Sequence, residues 1–293
     1  MLDATHDEKA TSWIESANHP ETPFPLQHLP WGRWLRHGQA RAAVAIGDQI
    51  LDLSQVAVEQ SLPVAGLAQG SLVGLADPAG RLEMRHWLFE QLQNSDSLLS
   101  RHPDWFGLLS EATMLLPFEV GDYTDFYASI HHASRVGSMF RPDNPLLPNY
   151  RWVPIGYHGR ASSLVVSGTP IRRPQGQLKA DDLEAPSYGP CKMLDYELEL
   201  GLWVGQGNEL GQTLPLSEIR RHWIGVSLLN DWSARDIQRW EYQPLGPFLA
   251  KSFATSVSPW VTSQEALTPF LCPAAAHEPH PLDYLWDEQD QSM

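Results

Sequence analysis

Apolar and polar positions change their period several times along the chain, and each change predicts an element. Residues 41–53, RAAVAIGDQILDL, place aliphatic runs on both sides of Gly47 and Asp48. That pair tolerates positive φ, so the segment predicts two short strands around a turn in a small β-rich unit. Over residues 82–109 the spacing becomes helical, with Trp87, Leu88, Leu92, Leu98 and Leu99 on one face among charged and amide residues. Pro117 and Gly121 then break the stretch 112–122 and predict a boundary, giving a first domain at 1–117 and a second at 118–293. Residues 140–187 are dense in Pro, Gly and Arg, which predicts ordered loops and short strands.

Period two returns at 192–204, where Leu194, Tyr196, Leu198, Leu200 and Leu202 alternate with Asp195, Glu197, Glu199 and Gly201, the pattern of a half-buried strand. Residues 224–229 read as an apolar strand and 233–242 as a helix, with Asp231 or Ser233 as its N-cap. From Thr262 onward the chain is Pro-rich and acidic without periodicity, and no internal repeat is visible.

Of the 293 residues, 42% are hydrophobic and 19% charged, which is enough apolar material for one large domain or two modest ones. A formal net charge of -15 argues against nucleic acid and anionic membranes as partners, since both attract surplus Lys and Arg. The start of the chain is polar and carries Asp3, Glu8 and Glu15, and no apolar run reaches the ~18 residues of a membrane helix, so a cytoplasmic location is expected. Cys191 and Cys272 alone permit neither a disulfide framework nor a four-thiolate zinc site within one chain.

Several polar groupings can carry chemistry. Glu197 and Glu199 lie two positions apart on one strand, hence on one face and about 7 Å apart. They repel unless a cation lies between them; the alternative is a solvated face opposed by Lys or Arg on neighbouring strands. Asp231, where a strand turns into a helix, is either a ligand or a cap. Arg235, Gln238 and Tyr242 share a helix face that either grips an oxyanion or is a solvated stripe. If 122–140 is helical from Asp125, His132 returns to the face of Asp125 and His131 points about 100° away. An imidazole facing a carboxylate suits a general base, although core histidines are commoner.

The blocks DYTDFY, HHA, GYHGRASS, SGTPIRRP, LDYELEL, NDWSARDIQRWEYQPLGPFLAKSF and TSVSPW, with FPLQHLPWG and AIGDQILDL upstream, resemble the fumarylacetoacetase family over essentially the whole chain. The resemblance implies a mainly β fold: an N-terminal SH3-like barrel, then a larger mixed β catalytic domain that forms a homodimer. It implies Mg2+ or Ca2+ held by Asp125, Glu197, Glu199 and Asp231, with Lys251 and Thr255 beside the metal; hard oxygen ligands favour these ions over zinc. It assigns His132 as base, Tyr127, Arg141, Gln238 and Tyr242 as substrate-holding groups, and Arg235, Gln238 and Lys251 as stabilisers of developing charge. The implied reaction is hydrolysis of a β-diketo acid, 4-fumarylacetoacetate, to fumarate and acetoacetate, the last step of tyrosine breakdown.

Two departures from the family stand out. His131 replaces a glutamine beside the base. Members also continue well past the position of Met293, in a part that holds the acidic partner of the histidine, a substrate-contacting threonine and core strands. The expectation is therefore a catalytic domain cut short, with its last sheet edges open. The alternatives are a related oxo-acid hydrolase, isomerase or decarboxylase, and a non-catalytic metal-binding chain.

Overall fold

The turn at Gly47, with φ +58, joins two strands of a five-stranded antiparallel sheet; a Cβ here would lie 2.3 Å from Ser16 Oγ, so glycine is required twice over. The computed structural model describes residues 2–273 and 276–286. Its first unit comprises β1 (Trp31–Arg36), β2 (Gln39–Ile46), β3 (Gln49–Asp52), α1 (Leu53–Glu59), α2 (Pro78–Gln93), β4 (Phe106–Leu108) and β5 (Thr113–Leu115), with strand order β4-β3-β2-β1-β5. The helix expected over 82–109 is shorter and earlier. Asp77 caps it by accepting from the Ala79 and Gly80 N–H groups, and Pro78 opens its first turn. It stops because Asn94 builds a turn, accepting Asp96 N–H on its side chain and Ser97 N–H on its carbonyl.

The last strand of this sheet, β5, ends just before Pro117, yet the core is not made from this stretch alone. Trp31, Val44, Ile46, Leu51, Leu53, Leu88 and Trp105 pack with Ile224 and Val261 from far along the chain. Arg81 is fully buried and pairs with Glu265 at 2.9 Å, a second tie between the two parts.

The second part continues with β6 (Thr124–Phe126), α3 (Ile130–Phe140), β7 (Gly156–His158), β8 (Leu164–Val166), β9 (Gln175–Leu178), β10 (Ser187–Pro190), β11 (Leu194–Asp195) and β12 (Leu198–Val204). Then follow β13 (Trp223–Asp231), β14 (Ser233–Ala234), α4 (Arg235–Glu241), α5 (Leu249–Ser252), β15 (Thr255–Val257) and β16 (Thr262–Ser263). The main sheet runs β12-β13-β15-β8, with β16 also on β13 and β8 parallel to β15; β6 pairs with β7 alone. The fold is mainly β with some helix. No helix among the described residues is long and apolar enough to cross a membrane.

Three local expectations are corrected. Residues 122–140 do not form one helix: Asp125 sits on β6, and α3 starts only after Ser129, whose side chain accepts the His132 N–H. Residues 233–242 begin as a strand, so Ala234 is the N-cap position, not Asp231 or Ser233; Ser233 is instead held in a ladder with Asp195. The strand expected at 192–204 is broken at Tyr196 and Glu197, because the Glu197 N–H donates to the Asn230 side chain at 3.2 Å rather than to a backbone carbonyl.

The alternation of β12 is as expected, but the side turned inward is the acidic one. The register Leu200↔Leu228 and Glu199↔Leu229 puts Leu198, Leu200, Leu202 and Leu228 on one face, all more than half exposed. Glu199 and Asp231 lie on the other face, beneath β6, β7 and α5. Cationic side chains delivered from α4 and α5 make that burial of carboxylates tolerable.

Candidate active site

Sheet register brings the acidic residues together. Glu199 on β12 and Asp231 at the end of β13 face the same side, Asp231 pairs in the ladder with Thr255 of β15, and the β6–β7 hairpin lays Asp125 over them. Oxygens of Asp125, Glu199 and Asp231 all lie within 4.8 Å of one another. Asp231 is fully buried; its Oδ2 accepts from Lys251, while its Oδ1 is buried with no hydrogen-bond partner. A buried carboxylate oxygen without a donor is costly, and with two further carboxylates beside it the arrangement calls for a shared proton or a cation.

The electrostatics agree. Burial, then the charges of Asp125, Asp231 and Glu197, push the Glu199 carboxyl up to about 8. Burial raises Asp231 to about 7 despite Lys251. Asp125 is raised by burial as well. These three carboxyls therefore hold protons above the ordinary range unless positive charge is added.

Glu197 behaves differently and lies outside that group. Its Oε2 accepts from Lys251 at 2.5 Å and its Oε1 from Arg235 at 2.7 Å, and these two cations outweigh burial and hold it below the usual carboxylate range. Arg235 also donates to Asp195 at 2.9 Å and to Gln238 Oε1 at 3.1 Å. That leaves the Gln238 amide free to donate. Lys251, only 4% exposed, is carried on α5 immediately before the site strand β15.

His132 Nε2 stands 3.6 Å from Glu197 Oε1, beyond hydrogen-bond length but close enough for an ion pair. The carboxylate facing the imidazole is thus Glu197 and not Asp125, as follows once Asp125 sits on a strand. His131 is exposed. The Tyr127 ring meets His132 edge to face at 5.4 Å, and its backbone carbonyl accepts from the Tyr150 hydroxyl. Arg141 follows α3, donates to Pro145 O at 3.0 Å, and keeps a buried Nε without a partner. Tyr242 ends α4 half-exposed; among the described residues no hydrogen bond or ion pair joins its side chain to the cluster.

Tyr157 was missed by sequence reasoning. Its hydroxyl lies 3.1 Å from both Asp125 Oδ2 and Asp231 Oδ2, and its ring packs edge to face on Phe248. One phenolic proton serves two carboxylates, which again favours a proton or cation shared between them. The available signal was its place in GYHGRASS, alternating outward neighbours with an inward ring. Tyr123, hydrogen-bonded to Thr255 at 3.2 Å, is a second unforeseen member.

The model described as Fumarylacetoacetate (FAA) hydrolase C-terminal matches residues 123–276, the stretch that carries every group above. The bovine fumarylacetoacetase is 48% identical over 284 residues, covering 92% of this chain and 68% of the relative. The human fumarylacetoacetase is 49% identical with the same coverage. The chain belongs to the fumarylacetoacetase family. A solved fumarylacetoacetate hydrolase from Exiguobacterium antarcticum is 20% identical, covering 80% of this chain and 66% of that one, with a TM-score of 0.46.

Proposed function

We infer that the chain hydrolyses the carbon-carbon bond of 4-fumarylacetoacetate, giving fumarate and acetoacetate. The observation that carries this reading is the orphaned Asp231 Oδ1 within the Asp125, Glu199 and Asp231 cluster, beside an imidazole, the buried Lys251 and the partly buried Arg235, in a chain similar along most of its length to fumarylacetoacetases. Asp125, Glu199 and Asp231 would hold a divalent ion, with Glu197 and the backbone around Lys251 and Thr255 alongside; an all-oxygen set favours Mg2+ or Ca2+. The chemistry supplied by an ion held there would be Lewis-acid polarisation of a carbonyl oxygen.

The residues of the chain would do the rest. His132 takes a proton from water, and Glu197 stabilises the resulting imidazolium. The oxygen nucleophile adds to the carbonyl carbon, and the carbon-carbon bond then breaks with its electron pair leaving on the acetoacetate fragment as an enolate. A proton completes that product. Lys251, Arg235 and the Gln238 amide would stabilise this charge, and preorganised donors of this kind contribute most where water is excluded. Arg141, with its unpaired Nε, together with Tyr127 and Tyr242, would receive the substrate carboxylates. The same reading takes the first 117 residues as the SH3-like unit, the active form as a homodimer and the location as cytoplasmic.

The test is to incubate the protein with 4-fumarylacetoacetate and measure fumarate and acetoacetate release. Turnover should vanish on chelation and return with Mg2+ or Ca2+. Full activity in excess chelator, with metal loss verified, would remove the metal from the reading.

A further inference from the structure

Between β15 and β16 the chain makes an excursion that reaches the N-terminal sheet. β15 pairs with β13 at Leu229↔Val257, and β16 resumes at Val226↔Thr262. Between those registers Ser258, Pro259, Trp260 and Val261 stand opposite only Ser227 and Leu228, so the chain bulges outward there. β1 grips the bulge. The Trp31 N–H donates to Val261 O at 2.9 Å, and the Val261 N–H donates back to Trp31 O at 2.7 Å. The Trp260 ring lies directly on Gly32, where a Cβ would come within 2.7 Å of it.

Ser227 closes the gap that the bulge leaves. It is buried, donates through Oγ to the Trp260 carbonyl at 2.7 Å, and accepts from the Trp203 indole at 2.8 Å. One hydroxyl therefore ties β12, β13 and the excursion together. Those strands carry the cluster: Glu199 is four residues from Trp203, Asp231 four residues from Ser227, and Thr255 five residues from Trp260.

We propose that Ser227 and Gly32 are positioning residues through which the N-terminal sheet sets the spacing of the carboxylates on β12 and β13. The small side chain at position 32 lets Trp260 seat, Trp260 fixes the bulge, and Ser227 transmits that fixed position to both acidic strands. Neither residue touches the carboxylates. The proposal rests on the reading of Asp125, Glu199 and Asp231 as a cation site.

The test compares wild type, Ser227→Ala, Ser227→Thr and Gly32→Ala in the full chain, with Leu75→Ala as a control elsewhere in the same core. Mn2+ affinity is measured by titration calorimetry, and amide exchange is followed by NMR at Leu229, Asp231, Thr255 and Val257. Ser227→Ala and Gly32→Ala should weaken Mn2+ binding about tenfold, in the range expected for groups that orient ligands, and speed exchange at those amides. Ser227→Thr should restore both. Leu75→Ala should lower the melting temperature and leave both unchanged. If wild type binds no Mn2+, the cation reading fails and exchange alone decides the positioning role. Unaltered exchange in Ser227→Ala and Gly32→Ala, or changes matched by Leu75→Ala, would overturn it.

Discussion

The Lys251 ammonium donates to one oxygen of Asp231 and leaves the other, equally buried, with no partner. Lys251 alone therefore does not complete the coordination of that carboxylate. Asp231→Asn should reduce Mn2+ or Ca2+ affinity by more than about a hundredfold, above the loss typical of removing a group one shell further out. Titration calorimetry at constant pH reads this directly, and a loss below tenfold would place the ion elsewhere.

Without metal, stability should fall as pH rises. Glu199, pushed from 4.5 to about 8, and Asp231, pushed from 3.8 to about 7, hold protons in the folded state that they lose when unfolded. A raised carboxyl pKa gives stability that is complete below the unfolded value and lost as pH climbs through the folded one. The window is thus roughly pH 4 to 8. Thermal melts of chelated protein should drop across it, and added Mg2+ or Ca2+ should flatten the drop while releasing protons. Melting that rises over this range would contradict the burial argument.

His132→Ala should lower turnover of the diketo acid by at least about a hundredfold, the lower end of what a positioned base contributes. His131→Gln should change it little, since His131 is exposed on α3. Glu197→Gln should also impair turnover, because the imidazole loses its facing charge. Equal damage from the His131 and His132 substitutions would refute the assignment of the base.

The sequence made the acidic strands legible because period-two alternation is local: Glu199, Asp231 and the turn at Gly47 are where their patterns predict. It did not reveal how Asp125 arrives. Seven residues between Asp125 and His132 fit a helical return, yet Ser129 caps a later helix and the pairing of Asp125 with Tyr157 across β6–β7 decides the geometry. Nor does local pattern say which side of an alternating strand is buried. That depends on Lys251 and Arg235, which come from distant elements and neutralise the acidic face. Glu197 illustrates the limit: its spacing from Glu199 suggests a shared ion, but the two cations that hold it are more than 35 residues away in sequence.

Core packing across the two parts gives a stability prediction. Val261 is fully buried and bonded on both sides to Trp31. Val261→Ala removes two methyl equivalents from the N-terminal core and should cost about 1.5–2 kcal/mol. Denaturant unfolding followed by Trp fluorescence should show one shifted transition. A loss confined to a separate second transition would mean that residues 1–117 fold without the later segment.

The leucine face of β12–β13 gives the last expectation. Leu198 is 75% exposed, Leu200 68%, Leu202 56% and Leu228 59%, and the register sets Leu200 directly across from Leu228. Side chains opposite one another on a sheet form a continuous apolar strip, and a strip of this kind in water drives association. Replacing the pair by Leu200→Glu and Leu228→Lys keeps the ladder, exchanges an apolar cross-strand contact for an opposite-charge one, and leaves the inward face untouched. Size-exclusion chromatography with light scattering should show the wild-type chain self-associating as concentration rises and the double variant staying monomeric, with similar far-UV dichroism. Matching elution of the two proteins at every concentration would show that this face does not govern self-association.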